Sequence, residues 1–364
     1  MIHEKPGRAL SMALQIPARA FAAAAKVRGL LFDKGTLEVV DTLVPVISIG
    51  NLTTGGTGKT PITSYLATDL RTRGLSVGIV SRGYGGTENG PALVPPDATS
   101  ETALRFGDEP TWLAARHPES LVVVGAERPE AVAYLKSLFE AKTQTGRQVV
   151  LADDAFQHRR LKRDIDIVVI DPTEPRWHYQ PLPLGRMREG FSALKRADFV
   201  FLSKSNLLPA KDLEWIRERL HEAQAGAKFK IVEFGVKLSG VVSLESNRSN
   251  EPAGSLSFSR VILMSGIARP ETFEIMVQQS VRALGKVEII DHFKFADHHA
   301  FTPAELAKVE ATAFETKAQA IIITEKDAVK LVTWMPLVPV FVTRLVAEPL
   351  TEFQEFHEAV DRLG

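Results

Sequence analysis

Residues 44–60 read VPVISIGNLTTGGTGKT, a β-branched run that feeds a glycine-rich turn and ends in Gly-Lys-Thr. The order of parts is that of a phosphate-binding loop. A buried strand from Val46 to Ile49 delivers the chain to the turn. At Gly55, Gly56 and Gly58 the missing Cβ lets backbone N–H groups crowd around phosphate oxygens. A helix opening at Lys59 aims its unpaired N–H groups and positive dipole end at the anion. In such a loop Lys59 reaches the β- and γ-phosphates, and the Thr60 hydroxyl ligates Mg²⁺. Pro61 suits the first helical turn, Ile62, Tyr65, Leu66 and Leu70 form an apolar stripe, and Gly74 is placed to end the helix. The spacing therefore predicts a nucleoside-triphosphate site built from residues 53–60.

The loop departs from the usual pattern in two places. Thr53 stands where G-x-x-x-x-G-K-[ST] has its first glycine. The Gly55-Gly56 pair resembles the deviant loop of partitioning ATPases, which carry a lysine where this chain has Thr54.

Composition bounds the rest. The 364 residues allow two domains, and 45% hydrophobic with 24% charged residues allows an ordinary core. Lys+Arg and Asp+Glu both count 44, so no global field draws the chain to nucleic acid. With no cysteine, disulfides, thiolate metal sites and Cys nucleophiles are excluded, in keeping with a reducing cytoplasm. No apolar stretch reaches the ~18 residues that a transmembrane helix needs. At the N-terminus, Lys5 and Arg8 precede a short apolar run, and Ala18-Arg19-Ala20 has the form of a cleavage site, but the run is weak for a signal peptide. Residues 8–32 read better as one or two helices around Pro17. Leu10, Leu14, Phe21, Leu30, Leu31 and Phe32 are apolar there, beside basic Arg8, Arg19, Lys26 and Arg28. Such a segment lies in a membrane interface or packs on the core.

Short apolar runs recur at 76–80, 121–124, 148–152, 165–170 and 199–202, with helical patterns such as 130–140 and 211–222 between them. Strands alternating with helices mean an α/β fold with a P-loop-containing, doubly wound parallel sheet. At 230–245 the pattern becomes plain alternation, a β-ribbon or hairpin, and 246–258 is a loop by composition. A second α/β pattern follows, with strands near 261–264, 287–290, 320–323 and 338–342. The expected division is an N-terminal helical segment (1–32), a P-loop domain (33–225), a ribbon and linker hinge (226–258) and a smaller α/β domain (259–364).

Several other stretches carry chemistry. QVVLADDAFQH (148–158) is a strand ending in acids, the form of a Walker B element, with Asp153 for Mg²⁺, Asp154 at the position of a catalytic general base, and Gln157 and His158 to orient phosphate or water. In FGDEP (106–110), Asp108 and Glu109 open a helical pattern, where a cap and a proton-accepting carboxylate are both open readings; Glu109 is also a candidate metal ligand. SRGYGG (81–86) places Arg82, Gly83 and Tyr84 at a strand end, and PLGRMRE (183–189) offers Arg186 and Arg188 on a loop. DHFKFADHH (291–299) is rich enough in His and Asp for a metal site, or for a catalytic or hydrogen-bonded histidine. TEKD (324–327) follows a strand and caps a helix, and Ser203-Lys204-Ser205-Asn206 half-matches the base-reading motif of GTPases.

Taken in order, GNLTTGGTGKTP, SRGYGG, FGDEP, LADDAFQH, PLGRMRE, GIARPETF, FADHH and TEKDAVKL resemble the tetraacyldisaccharide 4′-kinase family of Gram-negative bacteria. The likeness runs from the N-terminal helix to about residue 335 and includes Thr53 and Thr54. It implies that ATP, with Mg²⁺, phosphorylates the 4′-hydroxyl of a tetraacylated disaccharide 1-phosphate, giving the 1,4′-bisphosphate precursor of lipid A. Residues Thr53, Thr54, Gly55, Gly56, Thr57, Gly58, Lys59 and Thr60 would hold the nucleotide, and Asp153 and Asp154 the metal. Asp108 would assist deprotonation of the sugar hydroxyl, supported by a histidine of FADHH, His298 in preference to its neighbour His299. Arg82, Arg186 and Arg188 would meet the anionic head group. The resemblance further implies a monomer, peripheral on the cytoplasmic face of the inner membrane, with the N-terminal segment on the lipid surface. If Asp108 and His298 belong to different domains, closure on substrate would assemble them. The rival reading is a nucleotide-switched deviant P-loop ATPase acting through a partner, and Thr54 argues against it.

Overall fold

The computed structural model describes residues 7–97, 99–142, 146–245, 258–280, 287–297, 299–331 and 333–363. In chain order the main elements are α1 (Arg8–Asp33), β1 (Val46–Asn51), α2 (Lys59–Thr72), β2 (Ser76–Ser81), β3 (Ala92–Leu93), α3 (Ser100–Phe106), α4 (Asp108–Arg116), β4 (Leu121–Val124) and α5 (Arg128–Ala141). There follow β5 (Gln148–Asp153), β6 (Ile165–Ile170), β7 (Phe199–Leu202), α6 (Ala210–Gln224), β8 (Lys230–Ser243), β9 (Arg260–Ser265) and α7 (Pro270–Gln279). The chain ends with β10 (Glu288–Lys294), α8 (Pro303–Thr316), β11 (Ala320–Ile323), α9 (Glu325–Ala328), β12 (Val340–Pro349) and α10 (Gln354–Asp361). This is the expected α/β alternation. By its contacts the chain forms two compact units, one of residues 1–59, 147–235 and 349–364, the other of 60–146 and 236–348.

In the first unit β1 lies between β5 and β6, and β7 and the start of β8 continue the sheet, every pairing parallel. β1 and β6 are buried along their whole length, and β5 from its second residue on. That is why they read as unbroken apolar runs rather than as alternation. The register sets Ile49 beside Asp153, so the end of β5 emerges next to the loop that leaves β1. Ligands sit at this carboxyl edge in open parallel sheets. Below it Leu52, Phe156, Val168, Val200, Leu202, Leu220 and Phe229 form a buried cluster.

α1 belongs to this unit and is a single helix that carries Pro17 within it. Its narrow inner face buries Ala18 and Phe32. Arg159 ties the last turns down, donating to Gly29 O at 2.7 Å and pairing with Asp33 at 2.7 Å, while Arg28 donates to Gln157 O at 3.1 Å. The opposite face leaves large apolar side chains in solvent: Met12 is 73% exposed, Ile16 77% and Val27 56%. The packing reading of this segment therefore holds for the inner face, and the outer face is apolar and exposed. Among the described residues no helix is long and apolar enough to cross a membrane.

In the second unit β2 pairs parallel with β4, whose other edge takes β3 antiparallel. β10, β9, β11 and β12 pair in that order, all parallel, over a core of Ile262, Met264, Val309, Ile321, Ile323 and Val342. The stretch expected as a β-ribbon or hairpin is one 14-residue strand, β8, and does not fold back on itself. Its partner comes from far along the chain: Lys237 pairs with Glu348 at 2.5 Å, and Ser239 Oγ donates to Arg344 O at 3.2 Å. Alternation marks a strand with two unlike faces, but it does not say which strand lies beside it.

Candidate active site

Residues 52–60 form the expected loop. Gly55 and Gly58 take φ of +115° and +87°, and α2 starts at Lys59. Gly58 also faces Ser203, whose Cβ would lie 3.2 Å from any added Cβ, so both its conformation and its surroundings require glycine. Asn51 Nδ2 donates to Thr57 Oγ1 at 3.0 Å and Ser203 Oγ to Thr57 O at 2.7 Å. The segment 186–188 runs along the loop entry: Thr54 N donates to Arg186 O at 2.8 Å, Arg188 N to Leu52 O at 2.7 Å, and Thr53 bridges Met187 antiparallel. The extended backbone there buries Met187 in the core and turns Arg186 and Arg188 to the other side.

Asp154 is the hub of the charges. It follows β5 with φ +49°, a conformation that Asp tolerates better than most residues. Lys59 Nζ lies 3.4 Å from its Oδ1, and Arg188 Nη1 lies 3.1 and 3.0 Å from its two oxygens. Burial acting alone would raise this carboxyl, but Lys59 and Arg188 outweigh it and hold it well below the usual carboxylate range. Gln157 joins the group, accepting from Arg188 at 3.4 Å and donating to Asn51 O at 2.9 Å. Asp153, 2% exposed, closes β5 beside Ile49. His158 lies on the same loop, its N–H donating to Ala155 O at 2.8 Å.

The half-matched Ser203–Lys204 turn belongs here too. Lys204, in left-handed backbone at φ +56°, pairs with buried Asp171 at 2.5 Å and reaches Gly56 O at 3.4 Å. Read alone, SKSN carried little weight; its position at a strand end was the available signal.

The second unit holds Asp108 and Glu109. Gly107 (φ +94°) precedes α4, and an added Cβ there would lie 2.6 Å from Tyr84 O. Gly107 is therefore glycine because the SRGYGG and FGDEP loops meet backbone to backbone. Arg82 and Tyr84 are exposed at this junction. Asp108 is the first residue of α4 rather than its cap, and Lys330 Nζ lies 3.5 Å from its Oδ2. Lys330 also pairs with Asp327 at 3.1 Å. Lys326 pairs with Glu109 at 3.3 Å and Asp297 at 3.4 Å. Burial works to lower the Lys326 ammonium, but those carboxylates dominate and raise it. Thr324 does cap its short helix, accepting from Asp327 N at 3.1 Å. Capping is only part of what TEKDAVKL does, because Lys326 and Lys330, four residues apart, both face the first turn of α4.

His298 lies outside the described residues. His299 stacks on Phe295 and bonds Glu305 at 3.0 Å. His292 bonds Ser265 Oγ at 2.8 Å and Glu274 at 3.2 Å. Among the described residues no three His, Asp or Glu side chains gather as a metal-holding cluster, so the metal reading of 291–299 finds no support there.

His117, buried at the end of α4, anchors that helix by a 2.8 Å bond to Ser64 Oγ. Burial, aided by Arg116, lowers its imidazole from 6.5 to about 4. Between those values the unfolded chain takes up a proton that the folded chain refuses. Stability should therefore fall as pH drops from about 6.5 toward 4, by roughly 3 kcal/mol at most. Denaturant melts of wild type and His117→Gln across that window test this; the variant should lose the slope.

A family model described as tetraacyldisaccharide-1-P 4′-kinase matches residues 10–363. The chain belongs to that kinase family. Among its curated relatives, the tetraacyldisaccharide 4′-kinase of Bdellovibrio bacteriovorus is 36% identical over 305 residues, covering 84% of this chain and 85% of that protein. The enzyme of the same name from Anaeromyxobacter sp. strain K is 36% identical over 340 residues, covering 90% and 84%. Among solved structures, the "apo" form of LpxK from Aquifex aeolicus in complex with ATP superposes with a TM-score of 0.69 at 24% identity, covering 97% of this chain and 99% of that one. That likeness shows that the fold of this kinase family extends over nearly the whole chain.

Proposed function

We propose that this chain transfers the γ-phosphoryl group of ATP to the 4′-hydroxyl of a tetraacyldisaccharide 1-phosphate, giving the 1,4′-bisphosphate. Family membership gives the reaction class. The observation that carries the assignment of roles is the Lys59–Asp154–Arg188 group at a phosphate loop. In the transfer the 4′ oxygen bonds to Pγ as the Pγ–O bond to ADP breaks, and the hydroxyl proton passes to a carboxylate. Lys59 and the loop N–H groups meet charge on the β- and γ-phosphates. Asp154 fixes Lys59 and stays ionised throughout the working pH range. Asp108 is the proton acceptor, with Lys330 beside it to hold its charged form. Mg²⁺, when bound, would offset negative charge on the phosphates. Buried Asp153 and the Thr60 hydroxyl are hard oxygen donors that suit it, whereas Glu109 is engaged by Lys326. Arg82 and Tyr84 would meet the acceptor's polar head, a role that their exposure beside Asp108's loop supports. On this reading 33–225 is the kinase domain and 259–364 the smaller domain.

The proposed place of the protein is the cytoplasmic side of the inner membrane, as a peripheral monomer; the outer face of α1 supports the peripheral attachment. Its apolar residues, flanked by Arg8, Arg19 and Lys26, would sink into the headgroup boundary. Ile16→Glu with Val27→Glu should weaken pelleting with anionic vesicles at least ~10-fold and raise KM for the lipid, with ATP binding unchanged. Unaltered pelleting would return α1 to a purely packing role.

The deciding test of the whole reading is transfer of labelled γ-phosphate from ATP-Mg²⁺ to the disaccharide 1-phosphate in mixed micelles. Hydrolysis of ATP without labelled lipid would favour the partner-driven ATPase, which family membership and Thr54 disfavour.

A further inference from the structure

Arg186 is a buried cation with no counter-charge among the described residues. The residue is 8% exposed, and its Nε is enclosed with no hydrogen-bond partner. Among the described residues no carboxylate lies within 4 Å of its guanidinium. Buried Arg344 is paired with Glu325 at 2.7 Å, and buried Arg128 donates to Gly125 O at 2.6 Å. A guanidinium cannot escape the cost of burial by losing its proton, so an unpaired one is retained only where something else supplies the anion.

Its location says which anion. The backbone of Arg186 is pinned on both sides, its N–H donating to His178 O at 2.8 Å and its C=O accepting from Thr54 N at 2.8 Å. Nη1 stands 3.2 Å from the point where a Cβ on Gly55 would sit. The side chain therefore lies against the glycine pair of the phosphate loop, and Gly55 has no side chain to block it. Arg188, two residues on, is spent on Asp154 and Gln157, so the two arginines of PLGRMRE do different work.

We propose that Arg186 is a catalytic arginine supplied by the chain itself, which contacts the terminal phosphates of ATP and stabilises the charge that builds on them during transfer. This rests on the ATP reading of the loop and moves Arg186 from the lipid head group to the nucleotide. Charge spreads over the phosphoryl oxygens in the transition state, and a preorganised, desolvated guanidinium answers it without reorganising.

The full chain, as wild type, Arg186→Met and Arg186→Lys, should be followed by thermal melting alone and with ATP-Mg²⁺, ADP-Mg²⁺ or AMP, and by lipid phosphorylation. Arg186→Met removes an unpaired charge and keeps the bulk, so its unliganded melting temperature should equal or exceed that of wild type. Its extra stabilisation by ATP over AMP should fall by more than half, and kcat should fall ~100-fold. Arg186→Lys, which keeps the charge without the fork, should recover part of both. An Arg186→Met protein that melts well below wild type yet keeps the full ATP shift would make Arg186 structural and overturn the proposal. So would a variant that is stable and within about threefold of wild-type kcat. If wild type itself gains no stability from ATP, the nucleotide reading of the loop falls first; if wild type responds and both variants match it, only the role of Arg186 falls.

Discussion

Lys59→Ala should lower kcat/KM for ATP by ~10³-fold or more, an effect of the size seen when a phosphate-clamping cation is removed. The side chain is 11% exposed and stands 3.4 Å from Asp154, so its charge is delivered to a fixed point in a partly desolvated place. Two consequences follow from the removal. The loop loses the compact cation at the head of α2, and among the described residues Asp154 is left to Arg188, 3.0 Å away. Lys59→Arg should not restore the activity, because a planar fork does not replace a point charge at the head of α2. Steady-state kinetics over an ATP series, with a melting curve as a folding control, gives the answer. A folded Lys59→Ala protein within tenfold of wild type would remove Lys59 from the reaction.

Asp108→Asn should lower kcat by about 10²–10⁴-fold while leaving the affinity for ATP near that of wild type. Asn keeps the size of the side chain and cannot take a proton. The structural cost is small by comparison: a carboxylate in the first turn of a helix contributes ~0.3–1 kcal/mol through the dipole. That gap in magnitude separates the two roles. If Asp108 only complements the N-terminus of α4, catalysis changes by no more than a few-fold and stability falls slightly. If it accepts the hydroxyl proton, catalysis collapses in a protein that melts normally. Lys330, 3.5 Å away, gives a second reading of the same pair. Its replacement by Met removes the cation beside Asp108 and should lower kcat while the protein stays folded by melting curve. An unchanged kcat would show that Lys330 serves Asp327 rather than Asp108.

Much of the site was legible because its signals are local. A β-branched run, three glycines and Gly-Lys-Thr specify strand, loop and helix within 17 residues, and β1, the loop and α2 lie where the spacing predicts. The acidic end of β5 was legible for the same reason. Residues 230–245 show the limit: the period of two was right, but the neighbour of that strand is β12, over a hundred residues on. The placing of Arg186 and Arg188 shows the same limit. Both read as loop arginines of equal standing, yet Arg188 is paired with Asp154 while the Arg186 guanidinium meets no carboxylate among the described residues.

The sequence by itself determined the phosphate loop, the α/β alternation, the two-faced N-terminal helix and the kinase family, because backbone sterics, capping and hydrophobic period act over a few residues. Tertiary structure alone decided which charges meet. Lys326 and Lys330 face α4, Arg188 locks Asp154, and His117 is held neutral by burial against Ser64. Coulomb energy and desolvation depend on distance and surroundings in space, and chain order does not encode either until the sheet has set which segments are neighbours.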